Sequence, residues 1–148
     1  MKERSAVGIY WFSLALAVVA NVFYHVFQKQ TPAGAPPMLA LTVTYLTAGV
    51  ACLAVYALFP GPAGFTAGFR ALNWTSAVLG VTIIFLELGF LLAYRYGGNV
   101  NTAALLVNTA VAVLLVPVGI ALFREGFKPI HAAGMALCLV GLFLMTRK

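Results

Sequence analysis

Aspartate is absent from this chain, and its only acids are Glu3, Glu87 and Glu125. Charged side chains make up 8% of the 148 residues, where a soluble domain carries roughly a quarter. With 63% hydrophobic residues, that scarcity excludes an ordinary water-soluble fold. It also excludes a disordered chain, which is polar and rich in charge. Cysteine is scarce too. Cys52 and Cys138 belong to no CxxC motif and fall inside apolar runs, so each reads as a small apolar residue rather than half of a disulfide. Two histidines, His25 and His131, and three glutamates offer no metal-ligand spacing, and GxSxG, HExxH and phosphate-loop motifs are missing. Neither an enzyme nor a metal or cofactor site is expected. The nine Lys and Arg leave a net charge of +6 but sit singly or in pairs beside apolar segments. They read as interfacial anchors, and no basic face for nucleic acid is formed.

What is present is length in apolar runs. A helix needs about 20 mainly apolar residues to cross a bilayer, and five such runs predict spans over about 8–28, 38–59, 74–96, 102–123 and 130–146. The first run continues well past Ala15-Leu16-Ala17, too far for a signal-peptide core, so a retained helix is expected. Turn residues separate the runs: Thr31 to Pro37, the Gly- and Pro-rich stretch Pro60 to Phe69, Gly97-Gly98-Asn99 and Arg124 to Pro129. Asn101 and Thr102 read as caps for the fourth span. The expected fold is an all-α membrane protein of five transmembrane helices, with 1–148 as one domain.

Five crossings place the termini on opposite sides. Lys2, Arg4, Arg70, Arg124 and Lys128 then lie on the N-terminal side, and Lys29, Arg95, Arg147 and Lys148 on the other. Orientation follows the Lys/Arg excess. An excess of one is close enough to balance for insertion in both orientations; the alternative is a single orientation set by details that this count misses.

Polar residues inside apolar runs are the candidates for chemistry. Glu87 is the one acid deep within a span, where a charged side chain costs about 2.5–3.5 kcal/mol and should face protein or water. It reads as a proton acceptor or a counter-ion for a cation. The alternative is a permanent structural pair with His25, an arginine or helix hydroxyls. Glu87, Leu91 and Tyr94 follow i, i+4, i+7 spacing. An acid and an aromatic on one face suit an organic ammonium through charge and cation–π contact. Asn21, His25 and Gln28 form a similar stripe on the first helix, either lining a pore or joining helices by hydrogen bonds, while Gln28 and Lys29 lie close enough to the interface for snorkelling to explain them. Tyr45 stands out on the second helix, whose threonines can bond their own backbone. Asn108 stands out on the fourth, with Pro117 as a kink. The last helix carries small residues in place of polar ones, Ala132/Ala136 and Gly134/Cys138 with Gly141, which suits scaffold or dimer contact. Tyr10, Trp11, Trp74 and His131 read as interfacial, and Arg124–Glu125 as a solvated pair.

Several stretches resemble the drug/metabolite transporter superfamily, in particular a single five-helix EamA-type unit: Asn21 to Lys29 followed by a Pro-containing loop, Ala93-Tyr94-Arg95-Tyr96 before small polar residues, Phe123-Arg124-Glu125-Gly126-Phe127, and Gly134 with Gly141. The resemblance covers about Ile9 to Met145. Typical members carry two such units per chain and this one carries one. The coupling glutamate that small four-helix relatives keep in their first helix has no counterpart here. The resemblance implies a secondary-active transporter of amines, amino acids or similar small solutes, working by alternating access. One unit with balanced charge satisfies that inverted architecture as an antiparallel homodimer. The expected site is lined by Asn21, His25, Tyr45, Glu87, Tyr94 and Asn108, with proton coupling through Glu87. Some small members of the superfamily instead resemble a non-transporting partner subunit of a larger membrane complex, for example one that translocates lipid-linked sugars. The expected setting is a bacterial inner membrane, the expected partners a solute, the bilayer and a second copy.

Overall fold

The computed structural model describes residues 2–62, 64–124, 126 and 128–146, with side chains over 7–62, 64–124, 126 and 128–144. Those residues form six helices: α1 (Lys2–Gln30), α2 (Pro37–Leu58), α3 (Gly64–Ala71), α4 (Trp74–Arg95), α5 (Val100–Phe123) and α6 (Pro129–Thr146). Glu125, the predicted partner of Arg124, and the terminal Arg147-Lys148 anchor lie outside the described residues.

Local chemistry accounts for most boundaries. Pro37 opens α2, where its fixed φ suits the first turn and its missing N–H costs nothing. Pro60 and Pro62 follow the end of that helix at Phe59. Asn73 caps α4, its side-chain oxygen accepting the Thr75 N–H at 3.0 Å. Gly97, at φ +94°, turns the chain out of α4 in a conformation that glycine tolerates. α5 begins two residues earlier than the sequence predicts. Asn99 holds the cap position, so Asn101 and Thr102 are helical residues rather than caps. Pro117 lies inside α5 and has no N–H to give the Val113 carbonyl.

The second departure is α3. Gly and Pro in 60–69 predict a turn throughout, yet Gly64–Ala71 closes two helical turns. The prolines stop before its start, where Gly64 at φ +70° is the swivel, and only Gly68 lies inside the helix. The residues between have a helical pattern too short to stand out, with Phe65 and Phe69 stacked on one side and Arg70 in the last turn.

Four helices are long and apolar enough to cross a membrane: Val7–Gln30, Pro37–Leu58, Trp74–Arg95 and Val100–Phe123. The protein is therefore an all-α integral membrane protein. α6 is shorter, with 18 residues, and a helix of that size rises about 27 Å against a hydrocarbon core of about 30 Å. Most large apolar side chains are exposed, Phe12, Leu58 and Phe59 by more than two thirds. Water would not tolerate such a surface on a monomer, whereas lipid tails are as apolar as leucine.

The chain divides into two compact units, one holding the described residues up to Val26 with those from Gly97 onward, the other Phe27–Tyr96. In the first, α5 packs on α6, and Thr109, Gly119 and Leu142 are buried. In the second, α2 packs on α4, and Leu41, Phe90, Leu91 and Tyr94 are buried. Helix hydroxyls bond their own backbone, as expected: Thr42 donates to the Met38 carbonyl at 2.8 Å and Thr44 to Ala40 at 3.1 Å. Such threonines need no partner helix.

Leu91 is only 1% exposed and marks the centre of the α2–α4 contact. Leu91→Ala should cost about 2 kcal/mol, the low end of the soluble range, because in lipid the packing loss remains while the water-transfer contribution largely drops out. Leu86→Ala, at a half-exposed position of the same helix, should cost under about 0.5 kcal/mol. Unfolding of purified protein in detergent micelles compares the two.

Candidate functional site

Within Phe27–Tyr96, three predicted residues come together on the α2–α4 pair. Tyr94 is 5% exposed and Glu87 and Tyr45 are half-buried. Glu87, Leu91 and Tyr94 occupy the stripe that i, i+4, i+7 spacing predicts, and Leu91 and Tyr94 are the buried part of it. Glu87 stands about 12 Å along α4 from Arg95, at 1.5 Å per residue, which leaves it well inside the span. Tyr45 belongs to α2, the helix that packs on α4. The Glu87 Oε2 and the Tyr45 hydroxyl are both closed off from the surface, and neither has a hydrogen-bond partner among the described residues. Buried polar atoms left this way cost about 1–3 kcal/mol each, so their retention needs a reason other than stability.

One end of α1 completes this region. Gln28 Nε2 donates to the backbone carbonyl of Glu87 at 2.9 Å. A carbonyl already engaged in its helix keeps a second lone pair for such a donor. Lys29 Nζ lies 5.7 Å from the centroid of the Tyr94 ring, a cation–π distance, and Phe90 stacks beside that ring at 6.0 Å. Arg95 Nη2 donates to the Pro32 carbonyl at 3.1 Å, while its Nε is buried without a hydrogen bond. Snorkelling does not explain Gln28 and Lys29, as the sequence suggests it should; both are engaged by α4. Their signal in the sequence is weak, because a polar pair at a helix end is what any interface would carry. Arg95 was legible only as a charge.

The other predicted residues belong to the first unit. His25 is 5% exposed, with its ring edge-on to Tyr24 at 5.0 Å. Asn21 and Asn108 are exposed; on α5 the neighbouring Thr109 is the buried polar residue. Tyr10 and Trp11 meet edge to face at 5.5 Å, and the His131 Nδ1 accepts from the Lys128 N–H at 3.5 Å at the start of α6. Among the described residues no cluster of His, Cys, Asp or Glu has the geometry to hold a metal. The region therefore offers an acid beside a phenol and, about two turns along α4, an aromatic face already holding an ammonium. That arrangement can neutralise a cation or exchange a proton.

No family model, no curated protein and no solved structure matches this chain. Function has to be read from its own residues.

Two substitutions separate the structural contact from the unpartnered pair. Gln28→Leu should destabilise by about 0.6 kcal/mol, the average for a hydrogen bond between membrane helices. Tyr45→Phe removes a buried hydroxyl that bonds nothing, so the thermal midpoint in detergent should hold or rise. A fall larger than that of Gln28→Leu would make Tyr45 a clamp.

Proposed function

We propose that this protein is a secondary-active transporter of small organic solutes, amines foremost, with Glu87 as the group that meets the cation or a coupling proton. The observation that carries the reading is a carboxylate oxygen inside an apolar span, shielded from the surface and without a hydrogen-bond partner among the described residues, with the buried Tyr45 hydroxyl on the packed neighbouring helix in the same condition. A purely structural acid at that depth should be tied down, since hydrocarbon offers no water in its place. Lys29 against Tyr94 supports the same chemistry, because the protein's own ammonium takes the position an amine would.

The transporting form in this proposal is an antiparallel pair of five-span protomers in a bacterial inner membrane. The last helix decides it. If α6 crosses, the basic residues divide as Lys2, Arg4, Arg70, Arg124 and Lys128 against Lys29, Arg95, Arg147 and Lys148, five to four. If α6 stays on the side where α5 ends, Arg147 and Lys148 join the first group, giving seven to two. The first division permits both orientations and the second enforces one. Its 18 residues suit a crossing with slight thinning of the bilayer, at a fraction of a kcal/mol per Å of mismatch.

Topology reporters fused to the C-terminus should register both sides of the membrane in comparable amounts; signal from one side alone would remove the antiparallel pair. In proteoliposomes, a screen of amines, guanidines and amino acids should find a solute whose flux falls at least about a hundredfold in Glu87→Gln, the equivalent of losing about 2.7 kcal/mol of binding or coupling. Flux unaffected by that change would take Glu87 out of the mechanism. No flux for any solute, with a second protein copurifying, would replace the transporter by a partner subunit.

A further inference from the structure

The loop side of Phe27–Tyr96 carries a second feature, unrelated to Glu87. The short helix α3 folds back beside the last two turns of α2. Phe65 meets Tyr56 edge to face at 5.9 Å and stacks on Phe69 at 6.1 Å. Between the two helices lies an open recess of about 470 Å³, walled by Cys52, Leu53 and Tyr56 of α2 and by Phe65, Phe69 and Leu72. That volume is in the range of small-molecule sites. Gly68 forms part of its wall, and a methyl group added there would come to 3.9 Å from the Tyr56 hydroxyl.

Depth and charge identify what fits. The recess begins beside Pro60 and Pro62 at the end of α2, the level of the membrane surface. It reaches Cys52, six residues before Leu58, or about 9 Å further into the hydrocarbon. Its walls are apolar throughout. On α3, at 100° per residue, Arg70 lies about 140° round from Phe65 and 100° from Phe69, flanking the aromatic face rather than on it. Arg70 is exposed, and no acidic residue lies anywhere between Lys29 and Glu87. Arg70, in the last turn of α3, thus brings a guanidinium with no acid in its own segment to the loop end of an aromatic slot that runs along α2.

We infer that this recess is a binding site for one anionic phospholipid, its acyl chain between Tyr56, Phe65 and Phe69 and its phosphate on Arg70. Arg suits phosphate by its fork of donors. The slot admits a chain, which a flat lipid-facing helix surface does not.

Native mass spectrometry of the intact protein, released from a neutral detergent with added phosphatidylglycerol or phosphatidylcholine, tests the site. Phosphatidylglycerol should bind one per chain ahead of further, weaker additions. Arg70→Gln should weaken that first binding about fivefold, the worth of one cation near the membrane surface, and bring it level with phosphatidylcholine. Gly68→Leu fills the slot and should remove the first binding for both lipids, while Arg124→Gln, in a different loop, should leave it unchanged. As a check that does not depend on Gly68→Leu folding, alkylation of Cys52 in a Cys138→Ser background should slow when phosphatidylglycerol is present. Equal binding of both lipids to wild type, an unaltered Cys52 rate, or competition by glycerol phosphate as strong as by the lipid would overturn the assignment.

Discussion

Hydrocarbon supplies no hydrogen bonds, and that single condition organises the chain. Every backbone group in a span must be satisfied within its own helix, so six helices and short turns are what remains among the described residues. Hydroxyls conform by bonding backward, as Thr42 and Thr44 do. The few groups that cannot bond their own helix must find a neighbour, and Gln28 does so at the Glu87 carbonyl. The Glu87 Oε2 and the Tyr45 hydroxyl find none among the described residues. Against this background two unsatisfied atoms weigh more than they would in a soluble protein, and the proposed function rests on them.

The same condition makes α6 the hinge of the topology. Nothing in its sequence is polar enough to keep it out of the bilayer, and nothing in its length carries it comfortably across. Because parity and charge bias change together, one helix of 18 residues governs both the sidedness of the C-terminus and whether an antiparallel pair can form. α5 lies against it, while Gly134 and Gly141 are exposed with open space around them, so the close packing that their spacing suggests is not made within the described chain.

Charge is placed with the same economy. Lys29 ends α1 over an aromatic ring, and Arg95 ends α4 on the Pro32 carbonyl. Both sit at helix C-termini, where a cation is favoured. Arg70 differs, since it ends a helix too short to cross and faces no acid. The inferred lipid site follows from that difference.

The membrane class, the apolar helices and the stripe of Glu87, Leu91 and Tyr94 were written in the sequence, because hydropathy and helical spacing are local properties. So was the backward bonding of threonine. The start of α5 at Val100 and the fold of α3 were not: an asparagine two residues earlier competes equally well as a cap, and two turns of helix are too brief for periodicity to outweigh their glycines. Nor could spacing tell that Gln28 and Lys29 belong with α4 while Asn21 and Asn108 stay exposed. A polar residue on a membrane helix announces that it needs a partner. Only packing names which one, because the partner lies on another helix and its distance along the chain carries no information.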